Sequence, residues 1–271
     1  DLDAPINDYL DFDVVHPDFP GSVVTSRMLL AHTSGIADGP SMDGQYYFGS
    51  DSPLALADFA EGYFTPGGTY YSAEDNWNGN APGERHAYSN MGSALIGVVV
   101  EAVSGMDFND YCKQNIFGPL GMSATAWRLD EITGPKVLPY EVDGGDYTTP
   151  GHYTFTDYPN GGLRTTAADF HRFAAAFVGG GMSNGAQLLE AGTVNQMLQA
   201  GFPDVDSEAG LHTFFMDKRE ELWGHDGAEQ GVSTYVAFHP TNGVGVILLT
   251  NMSDVKLEKL AVRAYVLGTE L

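Results

Sequence analysis

The sequence predicts an α+β fold, because two kinds of apolar pattern occupy successive parts of the chain. Before residue 205, apolar residues recur every three or four positions, as in helices that pack one face against a core. Beyond it, alternating runs separated by turn residues predict an antiparallel sheet. We therefore expect a mostly helical lobe over residues 1–204 and a sheet lobe with a C-terminal helix over residues 205–271, together forming one compact domain.

Two short helices are predicted near the start of the chain. Thr25 or Ser26 can cap the first, over residues 27–32, because each side chain offers an oxygen to free backbone N–H groups. A Ser-Pro pair at 52–53 opens the second, since proline suits a first helical turn. Residues 62–83 are rich in glycine, tyrosine, asparagine and proline, so we expect a long ordered loop there.

The clearest helical pattern lies further along. Apolar residues over 91–102 form one stripe, which ends at Gly105. A second stripe follows Thr166, whose hydroxyl is placed as an N-cap, with Asp169 in the acidic position of a capping box. Residues 129–161, between these helices, show little periodicity and are predicted to form loops.

The sheet is predicted from the last quarter of the chain. Residues 235–239 and 244–249 flank a Pro-Thr-Asn-Gly turn, which is typical of a β-hairpin. Earlier runs at 212–216 and 221–223 add one or two strands. Residues 257–267 show a helical pattern and are predicted to close the fold.

Composition excludes several classes of function. Twelve basic and 36 acidic residues give a formal net charge of −24. A surface this negative repels the phosphates of nucleic acids and anionic membranes, so we expect no nucleic-acid partner. No run approaches the ~18 apolar residues of a membrane span. Such acidity is typical of salt-adapted or extracellular proteins, which favours a periplasmic or extracellular location.

Neither a metal nor another cofactor is predicted. The eight histidines include no His-Glu-x-x-His or comparable spacing. The Asp-Gly-Gly-Asp run at 143–146 offers oxygens to a structural calcium ion but lacks the EF-hand spacing. Cys112 is the single cysteine and lies in a helical pattern, which indicates a buried thiol rather than a nucleophile.

Two short polar motifs carry the candidate chemistry. Tyr88-Ser89-Asn90 directly precedes the helix at 91, so a phenol and an amide are fixed at the end of a rigid element, although a helix cap explains the tripeptide equally well. His225-Asp226-Gly227 precedes the predicted hairpin. Glycine there allows a ligand to approach the backbone, and histidine carries a proton at neutral pH. Taken alone, a histidine between glycines is more often a turn residue.

With these two motifs, six segments in order resemble the serine β-lactamase-like family, which includes penicillin-binding carboxypeptidases, class C β-lactamases and related esterases. Tyr88-Ser89-Asn90 is similar to its Tyr-x-Asn motif, and His225-Asp226-Gly227 to its Lys-Thr-Gly or His-x-Gly motif. The other similar segments are residues 2–10, LLAHTSGI at 29–36, FGPLGM at 117–122 and GGLRTTAAD at 161–169. The resemblance covers nearly the whole chain and implies a β-lactamase/transpeptidase-like fold, with an antiparallel sheet flanked by helices.

The resemblance also implies acyl transfer through a serine ester, on an ester, an amide or a β-lactam or D-Ala-type peptide. Tyr88 would move the proton of the attacking hydroxyl, Asn90 would hydrogen-bond the substrate and a lysine, and His225 would support Tyr88. Gly227 and Ala228 would bind the substrate, with the Ala228 N–H as a donor of the oxyanion hole. The partner is then a small molecule or a peptide.

The sequence differs from the family pattern at two places, which affects the expected substrate and the expected source of the serine. Asp226 adds a negative charge beside the third motif, which favours a neutral ester or amide. The only Ser-x-x-Lys, at 253–256, follows the hairpin and is interpreted as a helix cap. We therefore expect the N-terminal strands and the nucleophile helix to be absent from this chain, and the serine to come from an upstream segment or a complementary chain. Residues 1–271 without that serine are predicted to be inactive.

The alternative is a non-catalytic relative whose cleft binds a peptide or another ligand. Covalent labelling by a fluorophosphonate or a penicillin separates the two hypotheses. His32, in the HTSG segment, is interpreted as a structural hydrogen-bonding residue. Aromatic residues of the loops either line a cleft or anchor the loops; these are Tyr46, Tyr47, Tyr70, Tyr71 and Trp77.

Overall fold

The computed structural model describes residues 1–270. The α-helices are α1 (Ser26–Leu30), α2 (Leu56–Phe64), α3 (Asn90–Ser104), α4 (Phe108–Cys112), α5 (Gly118–Leu120), α6 (Ala167–Val178), α7 (Ala191–Met197) and α8 (Glu258–Gly268). The strands are β1 (Tyr46–Phe48), β2 (Glu141–Asp143), β3 (Asp146–Thr148), β4 (Tyr153–Phe155), β5 (Met182–Ser183), β6 (Ala186–Gln187), β7 (Phe214–Asp217), β8 (Leu222–Glu229), β9 (Val232–Phe238) and β10 (Gly245–Thr250). Single-turn segments complete the backbone at Ile6–Asp8, Pro40–Gln45, Lys113–Phe117 and Tyr158–Asn160.

Helix α3 is the centre of the larger hydrophobic core, as the apolar stripe predicts. The Ser89 hydroxyl caps it by accepting a hydrogen bond from the Gly92 N–H at 2.9 Å. Gly105 ends it with a φ of 68°, a left-handed conformation that glycine adopts without a Cβ clash. The buried face of α3 packs against α1, α2 and α4. Because this helix is rigid and buried, the residues at its N-terminus have fixed positions.

The main sheet is an antiparallel meander in the order β10-β9-β8-β7. Helix α8 covers β9 and β10 and forms a second core with them, which includes Leu222, Tyr235 and Tyr265. The predicted hairpin at 235–249 is therefore confirmed. Three two-stranded sheets pair β1 with β4, β2 with β3, and β5 with β6.

Some expectations about local structure are wrong. Helix α2 begins at Leu56 after an extended Ala55, so the Ser-Pro pair at 52–53 lies in the preceding loop. Residues 129–161 contain β2, β3 and β4 rather than loops alone. The Asp-Gly-Gly-Asp run is the turn of the β2–β3 hairpin, because both glycines have positive φ, 58° and 96°, as a two-residue hairpin turn requires.

Two predicted caps also differ from expectation. The Thr166 hydroxyl accepts from the Asp169 N–H at 3.1 Å, but the Asp169 carboxylate binds the Ala124 N–H at 2.7 Å instead of completing a capping box. Ser253 does not cap α8, which starts five residues later. Its hydroxyl accepts from the Gly231 N–H at 2.7 Å and so holds the β8–β9 turn.

Within residues 1–270, no single helix has both the length and the apolar character to cross a membrane. The main sheet lies inside the predicted sheet lobe, while the preceding part of the chain holds β1 to β6 as well as most of the helices. The boundary at residue 204 stays a prediction.

Candidate active site

Tyr88 is held in place by His32. The backbone N–H groups on both sides of it donate to this residue, Ala87 N to the His32 carbonyl at 2.8 Å and Ser89 N to His32 Nδ1 at 3.2 Å. The Tyr88 ring lies on the imidazole, with 4.3 Å between ring centroids. His32 is 1 % exposed and has a φ of 52°, in the left-handed region that few non-glycine residues adopt. These contacts fix the phenol at the entrance to α3.

His225 lies on β8 and faces the same point from the sheet. Its ring centroid is 6.2 Å from that of Tyr88, although the two residues are far apart in sequence. Phe214 of β7 packs against both rings, at 5.1 Å from His225 and 6.4 Å from Tyr88. The His225 Nδ1 lies against the Asp226 carbonyl oxygen and donates to it, which leaves Nε2 for a proton or another partner. The structure therefore brings two of the predicted site residues together.

Asn90 is bound by a residue that the sequence reasoning missed. The Asp38 carboxylate accepts from the Asn90 side-chain amide at 2.9 Å and from the Asn90 backbone N–H at 3.0 Å. It also accepts from the Ser89 hydroxyl and the Met91 N–H, each at 2.9 Å. A carboxylate at the positive end of a helix is electrostatically favourable. The only local signal was its place three residues after the HTSG segment.

Gly227 and Ala228 lie on the part of β8 that pairs with β9 but not with β7. Strand β7 pairs with β8 only from Leu222 to Gly224, so in the described chain the other edge of β8 has no strand partner beyond that point. A Cβ at Gly227 would lie 2.5 Å from the Thr234 hydroxyl, which explains the glycine there. A free strand edge presents backbone N–H groups, as an oxyanion hole needs.

An open cavity of about 410 Å³ begins at Asn90 and extends over the adjacent loops. Four carboxylates line it, together with aromatic and small residues. No lysine, arginine or histidine of residues 1–270 is part of its wall. The lining residues are Asp38, Gly39, Pro40, Met42, Asp43, Tyr46, Asn90, Phe155, Asp157, Asn160 and Glu229.

Among the β8 carboxylates, Glu229 rather than Asp226 faces this cavity. Side chains alternate along a strand, so His225 and Glu229 share one face of β8, and Asp226 points to the other. The Glu229 carboxylate accepts a hydrogen bond from the Tyr46 hydroxyl at 3.0 Å, whereas Asp226 is not part of the cavity wall. Tyr46, which was predicted in a loop, lies on β1 and lines the cavity, while Tyr70 and Trp77 pack into the α3 core.

Burial and the nearby carboxylates both favour the protonated phenol of Tyr88. Partial burial raises the pKa of Tyr88 above its ordinary value, and the carboxylates of Asp38 and Asp226 raise it further. Stabilising the phenolate therefore needs a cation close to the ring. His225 is the proton-accepting side chain that the described residues place beside it.

The imidazoles beneath Tyr88 are neutral. Burial lowers the pKa of His32 to about 3, and the neighbouring His212, His86 and His225 lower it further. Burial likewise lowers the pKa of His212 to about 4. No signal in the sequence indicates that His212 or His86 lies here. The His86 ring packs 6.0 Å from the His32 ring, and its Nδ1 lies 3.4 Å from the Asp206 carboxylate.

Other candidate nucleophiles and ligands do not form a site in the described chain. Burial raises the pKa of the Cys112 thiol to about 11, so a thiolate is disfavoured at neutral pH. Within residues 1–270, no three histidine, cysteine or carboxylate side chains are arranged to hold a metal ion.

Comparison with known proteins agrees with this architecture. The chain belongs to the beta-lactamase family, a family of serine hydrolases, whose family model matches residues 1–267. It is 28 % identical over 264 residues to penicillin-binding protein 4 of Amycolatopsis lactamdurans, covering 92 % of this chain and 65 % of that protein. The chain thus spans less than two thirds of that relative.

Two solved structures show the same fold. One is a penicillin-binding protein from Bacillus halodurans, with a TM-score of 0.72, 25 % identity, and coverage of 98 % of this chain and 77 % of the other. The second is the D-amino acid amidase of Ochrobactrum anthropi SV3 complexed with D-phenylalanine, with a TM-score of 0.72, 20 % identity, and coverage of 100 % and 77 %. The predicted α+β fold of the β-lactamase/transpeptidase type is confirmed.

Proposed function

We propose that residues 1–271 form the Tyr-x-Asn and His-x-Gly part of a serine hydrolase that acts by acyl transfer on an ester, an amide or a β-lactam or D-Ala-type peptide. The convergence of Tyr88 and His225, 6.2 Å apart between ring centroids, carries this proposal. The attacking serine comes from polypeptide outside these residues, because Ser253 of the single Ser-x-x-Lys holds the β8–β9 turn.

The proposed reaction has two stages. The serine oxygen forms a bond to the acyl carbon, its proton passes to Tyr88 and then to the leaving group, and the bond to the leaving group breaks. Water next attacks the acyl ester and releases the acid and the free serine. Because Tyr88 holds its proton in this chain, a cation that arrives with the serine, as lysine does in Ser-x-x-Lys, is needed to lower the phenol pKa.

Backbone and amide groups orient the acyl donor. The Ala228 N–H, on the unpaired edge of β8, stabilises the oxyanion together with the N–H of the nucleophile. Gly227 leaves room for the substrate beside the strand. Asn90 hydrogen-bonds the substrate from the end of α3. In this family pattern each group acts from a rigid element, which lowers the entropy lost on reaching the transition state.

The charge of the cavity favours a substrate without a free carboxylate. Asp38, Asp43, Asp157 and Glu229 line it with no basic side chain of the described residues beside them. The cavity wall includes Asn90 but neither Tyr88 nor His225, so these charges would act on a part of the substrate that extends past Asn90. We expect esters or amides that are neutral or cationic in that part to react faster than anionic ones. The sequence-based expectation rested on Asp226, and the cavity carboxylates now support it better.

Covalent labelling with a fluorophosphonate tests the proposed function. The probe is applied to the natural polypeptide that contains this chain and, separately, to residues 1–271, and the adducts are located by mass spectrometry. We expect an adduct on a serine outside residues 1–271 of the natural polypeptide, and none on Ser253 in either sample. In the natural polypeptide, Tyr88→Phe should lower the labelling rate about 100-fold or more, while Tyr147→Phe, at a 70 % exposed position on β3, should leave it within twofold.

The alternative is a non-catalytic, ligand-binding relative. It is favoured by the raised pKa of Tyr88, since a protonated phenol without a nearby lysine is a poor base. If the natural polypeptide shows no adduct under conditions that label a known serine hydrolase, the acyl-transfer proposal is wrong and the binding role takes its place.

A further inference from the structure

Both oxygens of the Asp38 carboxylate accept hydrogen bonds from the end of the Tyr-x-Asn motif and from the residue after it. Oδ1 accepts from the Ser89 hydroxyl and the Met91 N–H, and Oδ2 accepts from the backbone N–H and the side-chain Nδ2 of Asn90. All four distances lie between 2.9 and 3.0 Å. Asp38 comes from a loop more than fifty residues upstream, so the contact depends on the tertiary fold.

This contact determines how the Asn90 amide is turned. An ionised carboxylate only accepts hydrogen bonds, so it selects the Nδ2 group of the amide and excludes Oδ1 from its side. Asn90 Oδ1 has no donor among residues 1–270. Asp38 and Asn90 both line the cavity. The amide oxygen is therefore the part of Asn90 that is free to accept a hydrogen bond from another molecule or segment.

We propose that Asp38 is a positioning residue of the site, which fixes the Asn90 amide with Oδ1 free and so makes the site select an N–H donor beside the reacting carbonyl. An acyl donor with an amide or ammonium nitrogen at that place gains a hydrogen bond that a simple ester lacks. The catalytic consequence rests on the proposed function, whereas the orientation of the amide does not.

Helix capping alone does not explain this arrangement. The Ser89 hydroxyl already caps α3 by accepting from the Gly92 N–H at 2.9 Å. A cap formed by Asp38 requires only the backbone N–H groups, but the carboxylate also binds the Asn90 side chain. A capping role predicts that substitution lowers stability without changing the reaction. A positioning role predicts a change in the reaction at a given stability.

Asp38→Asn and Asp169→Asn separate these roles. Asp169 is a control at the start of another helix, because its carboxylate also binds several groups there, the Ala124 N–H, the Thr125 hydroxyl and Arg172, away from the cavity. Asp38 is exposed whereas Asp169 is buried, so D169N is the harsher test of stability. In the natural polypeptide we expect D38N to lower kcat/KM 10- to 100-fold for an N-acetylalanine p-nitrophenyl ester, which has an N–H beside the reacting carbonyl, and less than twofold for p-nitrophenyl acetate, which has none. D169N should lower the melting temperature but keep kcat/KM for both esters within twofold. A kcat/KM of D38N for the N-acetylalanine ester within twofold of the unsubstituted protein overturns the catalytic part of the proposal.

A double-mutant cycle tests whether Asp38 acts through Asn90. If it does, D38N added to Asn90→Ala lowers kcat/KM for the N-acetylalanine ester by less than twofold further. A further loss as large as that of D38N alone contradicts the proposal.

The amide orientation is tested without any activity. We expect the two Asn90 side-chain amide protons, assigned from their absence in N90A, to differ in exchange with solvent, with one slow proton bound to Asp38 in the unsubstituted chain. This measurement needs no D38N protein, so it stands if that variant fails to fold. Two equally fast protons overturn the orientation. If one Asn90 amide proton exchanges slowly in a natural polypeptide that the fluorophosphonate does not label, the orientation is supported and the proposed function is rejected.

Discussion

At the scale of single residues, Asp157 shows how burial shifts the pKa of a carboxyl beside the site. Asp157 is 4 % exposed and lines the cavity with no basic side chain of the described residues next to it. Burial raises the pKa of its carboxyl to about 6, although a hydrogen bond from Asn160 opposes this shift. The buried charge of Asp157 therefore destabilises the fold at neutral pH.

The pH dependence of stability follows from this shift. Between the ordinary value of 3.8 and about 6, the folded chain binds a proton that the unfolded chain has lost. Stability therefore decreases as pH rises through that range and stays lower above it. We expect Asp157→Asn to raise the free energy of unfolding by about 2–3 kcal/mol at pH 7.5 and to change it little at pH 4.

Urea denaturation of wild type and D157N at both pH values measures this difference. Asp11→Asn, at an exposed position, is the control and should give the same small effect at pH 4 and pH 7.5. If D157N changes the free energy of unfolding equally at both pH values, burial does not raise the pKa of this carboxyl.

At the scale of elements, the neighbours of α3 pack so closely that Gly97 has no room for a side chain. A Cβ built on Gly97 would lie 2.7 Å from Pro159 Cγ and 3.1 Å from Leu56 Cδ2. Alanine has the better helix propensity by about 1 kcal/mol. Steric overlap in a packed core outweighs this gain, so we expect Gly97→Ala to destabilise the protein by about 1–3 kcal/mol.

The matched control is Gly192→Ala in α7, where an added Cβ has no neighbour within 4 Å. It should stabilise the protein by up to about 1 kcal/mol, since only the helix propensity changes. In thermal or urea unfolding, we expect the free energy of unfolding to fall for G97A and to rise for G192A, relative to the unsubstituted protein. The close packing of α3 against the Tyr158–Asn160 turn is contradicted if both variants are stabilised.

The elements that show a clear hydrophobic periodicity were predicted correctly from the sequence. The stripe before Gly105 and the strands on either side of the Pro-Thr-Asn-Gly turn lie where they were expected, because burial of one face selects these residues. The short strands β2 to β4 were missed, since three-residue strands are too short to show alternation. Ser253 was misread because Ser-x-x-Lys resembles a cap, whereas its hydroxyl binds the distant Gly231.

The candidate site was predictable only where a motif marks it. Tyr88, Asn90 and His225 stand in recognisable motifs, and the fold places Tyr88 beside His225. Asp38 and Phe214 have no such mark, because they reach the site through contacts between segments distant in sequence. A single sequence does not record which loop carboxylate will meet which helix end. The roles of the motif residues stay predictions until labelling is measured.

At the scale of the whole molecule, the large negative net charge affects the stability of the fold. The formal net charge of −24 makes the folded surface repel itself, and dissolved salt screens this repulsion. We expect the free energy of unfolding to rise by about 1 kcal/mol, or the melting temperature by about 2–4 °C, between 0.05 and 0.5 M sodium chloride.

Calorimetry across this salt range checks the expectation. The same change in ionic strength made with a second monovalent salt, potassium chloride, should give a matching increase if screening is the cause. A melting temperature that falls with both salts would mean that the ion pairs of the surface outweigh the excess of negative charge.

The ring of Tyr88 lies between two parts of the fold. His32, beneath it, is anchored to the α3 side of the molecule, whereas Phe214 and His225 belong to the main sheet. A small sliding movement between sheet and helices would separate the phenol from the imidazole before either hydrophobic core opens. On the proposed function, we therefore expect heat or mild denaturant to stop fluorophosphonate labelling of the natural polypeptide before its helix content changes.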